Sequence, residues 1–334
     1  MIQTLVATLM WALVASLLIF RRKRADRSIT YAAITIAIAM SLNVDAIYAT
    51  ADALLGGTNI ATLIADALLM TGLFFLGRGV MRTGEYRPRL VRAVVSMPVL
   101  VASLFAITVA FLFIDRGTTT TQFMNDLGDE PPAAAYSIIN FAYCLVVIAA
   151  MLTLASRQFR HSTGIQRLPA GLLTLGSAFG VALCVAVIVM DIAHVTDQLD
   201  LMHAVQPAYG PLSLLTFLFL CAGFAVQPAV RRAQHCLRGK RTAALAADLE
   251  PLWHRATSVR PGLSQADPLA TSADDAEGRL HREIVEIRDA MIDRRITFDT
   301  NPTEVALLER AESHLLGHDQ AASVSTSDDE DGAP

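Results

Sequence analysis

Residues 2–27 read IQTLVATLMWALVASLLIFRRKRADR, an apolar run from Ile2 to Phe20 that stops at Arg21, Arg22, Lys23, Arg24 and Arg27. A helix needs about 20 mostly apolar residues to cross the hydrocarbon core, and the run has that length. Secretory signal peptides carry their charge before the apolar run, not after it. The stretch is therefore expected to be an uncleaved first span, with the basic cluster holding its carboxyl end in the cytoplasm.

Working outward, six more stretches of similar length and hydropathy follow: Ile29 to Thr50, Asn59 to Leu76, Ala93 to Phe113, Ala135 to Ala155, Pro169 to Ala193 and Pro207 to Val226. Within hydrocarbon, only a helix satisfies its backbone hydrogen bonds inside one segment. The reading is an all-α protein, a seven-helix transmembrane bundle at 1–228 followed by a small helical cytoplasmic domain at 229–318 and a disordered acidic tail at 319–334. Composition agrees: 53% of residues are hydrophobic and 17% charged, with a mean hydropathy of +0.45, well above a soluble domain's balance. The net charge of −4 averages acidic outer loops and tail with basic inner loops, and it gives no reason to expect a nucleic-acid partner.

Basic residues near span ends set the orientation. One side carries the first cluster, then Arg78, Arg82, Arg87, Arg89 and Arg92, then Arg157, Arg160 and Arg167, and finally Arg231, Arg232, Arg238, Lys240 and Arg241. The other side carries Arg116. These positions predict a multi-pass protein of the cell membrane with its amino terminus outside and its carboxyl terminus cytoplasmic. The outer loops are short: Gly56 and Gly57 make a tight connection, the 115–132 loop holds Asp126, Asp129 and Glu130, and the last holds Asp197 and Asp200. Three of the four cysteines, Cys144, Cys184 and Cys221, fall inside apolar stretches, and Cys236 follows the last one. They are expected to be packing residues, not a disulfide or zinc framework.

Beyond Lys240 the pattern is that of a small globular module. Leu280, Ile284, Ile287 and Met291 recur at helical spacing, and Asn301, Pro302 and Gly317 bracket a second helix as N-cap, first turn and C-terminal stop. The near-motif His281, Glu283, Glu286 falls short of the H-E-x-x-H zinc pattern and is expected on the solvated face. Trp253 is expected to anchor the module's core. The block Leu249, Glu250, Pro251, Leu252, Trp253, with the later block Arg282, Glu283, Ile284, Val285, Glu286, Ile287, Arg288, Asp289, resembles the carboxyl-terminal domain of a family of actinobacterial multi-pass membrane proteins. That domain has no known function, and the family is often labelled as transporters. Where its members end the second block in a Leu-x-Pro-Tyr-like sequence, this chain has Arg294, Arg295, Ile296, Thr297 and Phe298. The resemblance implies no catalytic residues.

Ionisable residues inside spans are costly and usually face a bundle interior or a wet cavity. The candidates are Asp45 in the second stretch, Asp66 in the third, Asn140 in the fifth, and Asp191 with His194 at the end of the sixth. All fall in the outer half of the bilayer. Helical spacing puts Ser41, Asp45, Tyr48 and Asp52 on one face, Asn59, Thr62 and Asp66 on another, and Ser137, Asn140 and Cys144 on a third. Together they suggest an outward-facing polar pocket for a cation, a proton or a small polar ligand. The alternative is that these groups merely pair with one another, with backbone or with water. No metal-ligand spacing, cofactor motif or nucleophile–base pair is found, so neither a metal, a cofactor nor an enzymatic activity is expected. Gly176 and Gly180 form a G-x-x-x-G step, expected to pack against another helix of the same chain. The function expected is that of a membrane sensor or regulatory relay, with lipid around it and a cytoplasmic protein partner at 242–316. Transport of a small solute or cation is the alternative.

Overall fold

The computed structural model describes residues 2–20, 28–83, 89–115, 118–121, 123–259, 276–293 and 297–316. The first basic cluster, Arg87, Arg116, Arg294, Arg295, Ile296, Gly317 and the acidic tail lie outside the described residues.

The elements run α1 (Ile2–Phe20), α2 (Ser28–Leu42), α3 (Asp45–Leu54), α4 (Ile60–Thr83), α5 (Arg89–Val94), α6 (Met97–Leu112), α7 (Phe123–Leu127), α8 (Pro131–His161), α9 (Arg167–Val195), α10 (Leu199–Val259), α11 (Ala276–Ile292) and α12 (Pro302–Leu315). Among the described residues five helices, α1, α4, α8, α9 and α10, are long and apolar enough to cross a membrane, and the pair α2–α3 makes a sixth if counted as one span.

Two of the seven expected spans are corrected in form. The second is not one helix: α2 and α3 meet at 89°. Val44 is extended, with φ −84 and ψ 121, and Asp45 opens α3, where a helix N-terminus favours an acid. Ser41 therefore does not share a helical face with Asp45, Tyr48 and Asp52. The fourth is broken as well. Ser96 is extended and Pro98 lies in the first turn of α6, the place where proline's missing N–H is harmless. What remains is a 16-residue helix, about 24 Å at 1.5 Å per residue, which is short for a bilayer.

The chain divides into two compact units, Met1–Val230 and Arg231–Pro334. In the first, α8 packs most extensively on α9, α2 on α4, and α1 on α2. Its centre is filled by Leu17, Met70, Ile107, Phe111, Tyr136, Val147 and Met151. The G-x-x-x-G step faces inward: a Cβ at Gly176 would lie 2.8 Å from the Leu220 backbone nitrogen of α10, and one at Gly180 would lie 3.1 Å from Ile148 of α8 and 3.2 Å from Thr216. The glycines are spent on close packing within the chain.

In the second unit, Leu249, Leu252 and Ala256 from the end of α10 meet Leu280, Ile284, Ile287 and Ala290 of α11 and Leu308 and Ala311 of α12. Asn301 and Glu304 form a reciprocal capping box at the start of α12. Two readings change here. Trp253 is half-buried at the rim of this core, its indole N–H donating to Glu286. Glu283, expected in solvent, is only 2% exposed. It stands at i+3 from Leu280, a position that shares the buried helical face, and Arg279 meets it at 2.7 Å.

Candidate functional site

The polar residues of the first unit form two connected groups near one end of the bundle. The upper group begins at the turn between α3 and α4, where Gly56 and Gly57 have φ of 104 and 67, values that glycine adopts without strain. The turn brings the fully buried Asp52 over the start of α4. Its carboxylate accepts from the backbone N–H of Asn59 at 2.9 Å and of Ala61 at 3.1 Å, and from the Thr119 hydroxyl at 2.6 Å. Asp52 thus supplies the N-terminal cap of α4 from a distance. Asn59, in the left-handed region with φ 60, is freed for other bonds. Its Oδ1 accepts from the Tyr48 hydroxyl at 2.9 Å and from the Thr120 N–H at 2.8 Å, while its Nδ2 donates to the Thr118 carbonyl at 3.1 Å. The residues 118–120 are thereby clasped to the α3–α4 turn.

Tyr48 leads downward, its hydroxyl 2.8 Å from that of Thr62, and one turn further along α4 lies Asp66. The Tyr136 hydroxyl of α8 donates to Asp66 at 2.5 Å, and Asn140, one turn along from Tyr136, offers a second side-chain hydrogen bond. Tyr136 is held by rings: Phe111 at 5.6 Å and Phe123 at 6.1 Å between centroids. Such pairs fix ring orientation and so aim the hydroxyl.

The adjoining face of α8 meets α9. Ser137 faces Asp191, Cys144 lies near Cys184, and Ile148 abuts Gly180. Each step along α8 in this series is matched by an equal step back along α9, as two antiparallel helices in register require. Asp191 therefore lies at the level of Ser137, one turn from Asn140. Ser137, Asn140 and Asp191 are 2%, 1% and 5% exposed. Yet Ser137 Oγ, Asn140 Oδ1 and Asp191 Oδ2 have no hydrogen-bond partner, and Tyr143, the next position along α8, has an unpartnered hydroxyl. Buried polar atoms are nearly always paired, and here four without a partner fall in a short run on one helix pair.

Of the residues expected to form the pocket, Asp66 meets Asn140 on one face of α8 and Asp191 packs against the adjoining face. His194 is half-buried one turn from Asp191, and no ion pair joins them among the described residues. Asp45 is exposed at the start of α3, apart from the cluster. The sequence reading missed Tyr136, although it directly precedes Ser137, and it missed Thr118, Thr119 and Thr120, whose hydroxyls and backbone look like ordinary loop polarity until Asp52 is placed beneath them. Among the described residues no group of three or more His, Cys, Asp or Glu could hold a metal ion.

The several long apolar helices make this a multi-pass membrane protein. Residues 237–326 match a family of unknown function, DUF6545. The match spans the second unit, including both sequence blocks at 249–253 and 282–289, and it assigns neither an activity nor a taxon. No curated protein and no solved structure matches the chain.

Proposed function

We propose that this protein is a membrane sensor or regulatory relay. In this reading a seven-span bundle, amino terminus outside, reads occupancy of the polar site on α8 and passes its state to the helical module at the carboxyl end. The basic-residue asymmetry supports the orientation. The count of seven takes α2 with α3 as one broken span and α5 with α6 as another, its shortness met by local bilayer thinning or snorkelling.

The observation that carries the proposal is the pair Asp66 and Asp191, neither joined to a cation among the described residues, beside buried oxygens with no partner. A purely structural network would complete its bonds. Transport of a small solute or cation is the second reading, favoured by the 89° break between α2 and α3, since discontinuous helices line many transport sites. No catalytic step enters either reading, and the partner of residues 242–316 is proposed to be a cytoplasmic protein.

Hydrogen exchange of the full chain in lipid nanodiscs tests the relay. Asp66→Asn, in protein that still inserts and folds, is expected to change exchange across residues 276–316. Unchanged exchange there, with solute flux in proteoliposomes, would replace the relay with transport.

A further inference from the structure

The ligand that such a site takes is set by its charge and its atoms. Asp191 is a single carboxylate at the level of Ser137. The oxygens left unpartnered around it, Ser137 Oγ, Asn140 Oδ1 and Asp191 Oδ2, are hard donors. The nearest basic side chain on its own helix, His194, makes no ion pair with it among the described residues. A buried carboxylate without a counter-charge is expensive, and a cation lodged among these oxygens would supply that counter-charge and meet all three of them. A divalent ion's usual sites collect several carboxylates, whereas Asp191 alone offers an unpartnered carboxylate oxygen here, Asp66 being engaged by the Tyr136 hydroxyl and the Asn140 amide. One negative oxygen donor among neutral ones balances one positive charge.

We infer that Asp191, Ser137 and Asn140 form a binding site for a monovalent metal cation of the sodium class. The site deepens the sensor reading and rests on it, for it names what the relay would read. Asp66 stands beside it as a positioning residue. Held by Tyr136, it engages the amide of Asn140 and leaves the Asn140 carbonyl oxygen turned to the cation. Ser177, also buried and unpartnered, lies farther along α9, two turns past Cys184, and belongs to no such set of ligands.

The test is thermal unfolding of the full chain in neutral-lipid nanodiscs, with sodium chloride exchanged for N-methylglucamine chloride at constant ionic strength. Sodium is expected to raise the midpoint saturably, because a ligand that binds only the folded state stabilises it. Ser137→Ala is expected to raise the half-saturating sodium concentration about tenfold, the equivalent of roughly 1.4 kcal/mol. Asp191→Asn is expected to abolish the shift, and Ser177→Ala to keep it. Should Asp191→Asn fail to fold, Ser137→Ala and Asn140→Ala carry the test. Equal midpoints in sodium and N-methylglucamine overturn the site, as does a sodium shift that survives the Asp191 and Ser137 substitutions. A sodium shift with no change in hydrogen exchange at 276–316 upholds the site and removes the relay. Altered exchange in Asp66→Asn without any sodium shift does the reverse.

Discussion

In Met1–Val230 the carboxylates Asp52 and Asp66 are met by hydroxyls, an amide and backbone N–H groups, and Asp191 keeps an oxygen without a partner. In Arg231–Pro334 Glu283, Glu304 and Glu312 are met instead by Arg279, Arg255 and Arg288 at 2.7, 2.6 and 2.6 Å. A guanidinium offers a fixed fork of donors and a permanent charge, which suits a helical module that water reaches at its edges. Inside a bilayer that charge would itself need compensation, so a carboxylate there is stabilised by neutral dipoles or left for a ligand. Asp52 takes the first course and is closed on every side. Asp191 takes the second.

The largest expected effect is at Asp52. Asp52→Ala leaves the N–H groups of Asn59 and Ala61 and the Thr119 hydroxyl without their acceptor. Each buried group so orphaned costs about 1–3 kcal/mol, and the loop 118–121 loses the Thr119 tie to α3. Full-chain protein should unfold at a distinctly lower temperature, and protease should cut near residue 119. Asp191→Asn, which disturbs a site already short of partners, should cost far less stability in the absence of sodium. Equal losses at Asp52 and Asp191 would erase the distinction drawn between a closed knot and an open site.

Next comes the core of the second unit. Leu249→Ala removes a side chain that is fully buried against α11 and α12, and such truncations cost about 2–5 kcal/mol. Limited proteolysis of the full chain in detergent should release fragments from 276–316 while the apolar unit stays intact. Smaller again is Arg288→Ala. The Arg288 guanidinium bonds both oxygens of Glu312, at 2.6 and 2.8 Å, but the side chains are 35% and 31% exposed. Solvent screening limits such a pair to about 1 kcal/mol or less, to be read as a modest rise in the same protease sensitivity.

What the sequence made legible follows from how each signal is written. Apolar runs announce spans because hydrocarbon tolerates little else, and the start of α12 was readable because Asn301, Pro302 and Glu304 act on their own neighbours. The stripe Leu280, Ile284, Ile287 likewise names its own face. The break at Asn43 and Val44 was not legible, since an apolar run keeps its hydropathy whether the helix goes straight or turns. Thr118–Thr120 escaped because their partners Asp52 and Asn59 stand 59 to 67 residues away, a relation that local spacing does not encode. Glu283 escaped for a different reason: its charge argued for solvent, while its place one turn from Leu280 argued for the core, and packing won.

Glu283 gives the smallest and most discriminating effect. Burial raises its carboxyl above the usual value of 4.5, an effect that Arg279 only partly offsets, whereas Glu312 is lowered by Arg288 and Glu304 by the Asn301 N–H and then by Arg255. The signs oppose each other. A raised folded value means that the stability Glu283 contributes is present below its unfolded value and is lost as pH rises through the folded one. The lowered values of Glu304 and Glu312 mean that their contributions are present above the unfolded value and vanish as pH falls through the folded ones. Glu283→Gln mimics the neutral carboxyl. Relative to the unsubstituted protein it should therefore gain protease resistance in residues 276–316 as pH rises from about 4.5 toward neutrality, with the gap closing again in acid. Glu312→Gln should lose resistance over the same rise. Parallel pH profiles for the two variants would show that the buried carboxylate of the second unit is no more strained than its half-buried neighbours. The contrast with Asp191, whose relief is assigned to a ligand and not to a proton, would then rest on the first unit alone.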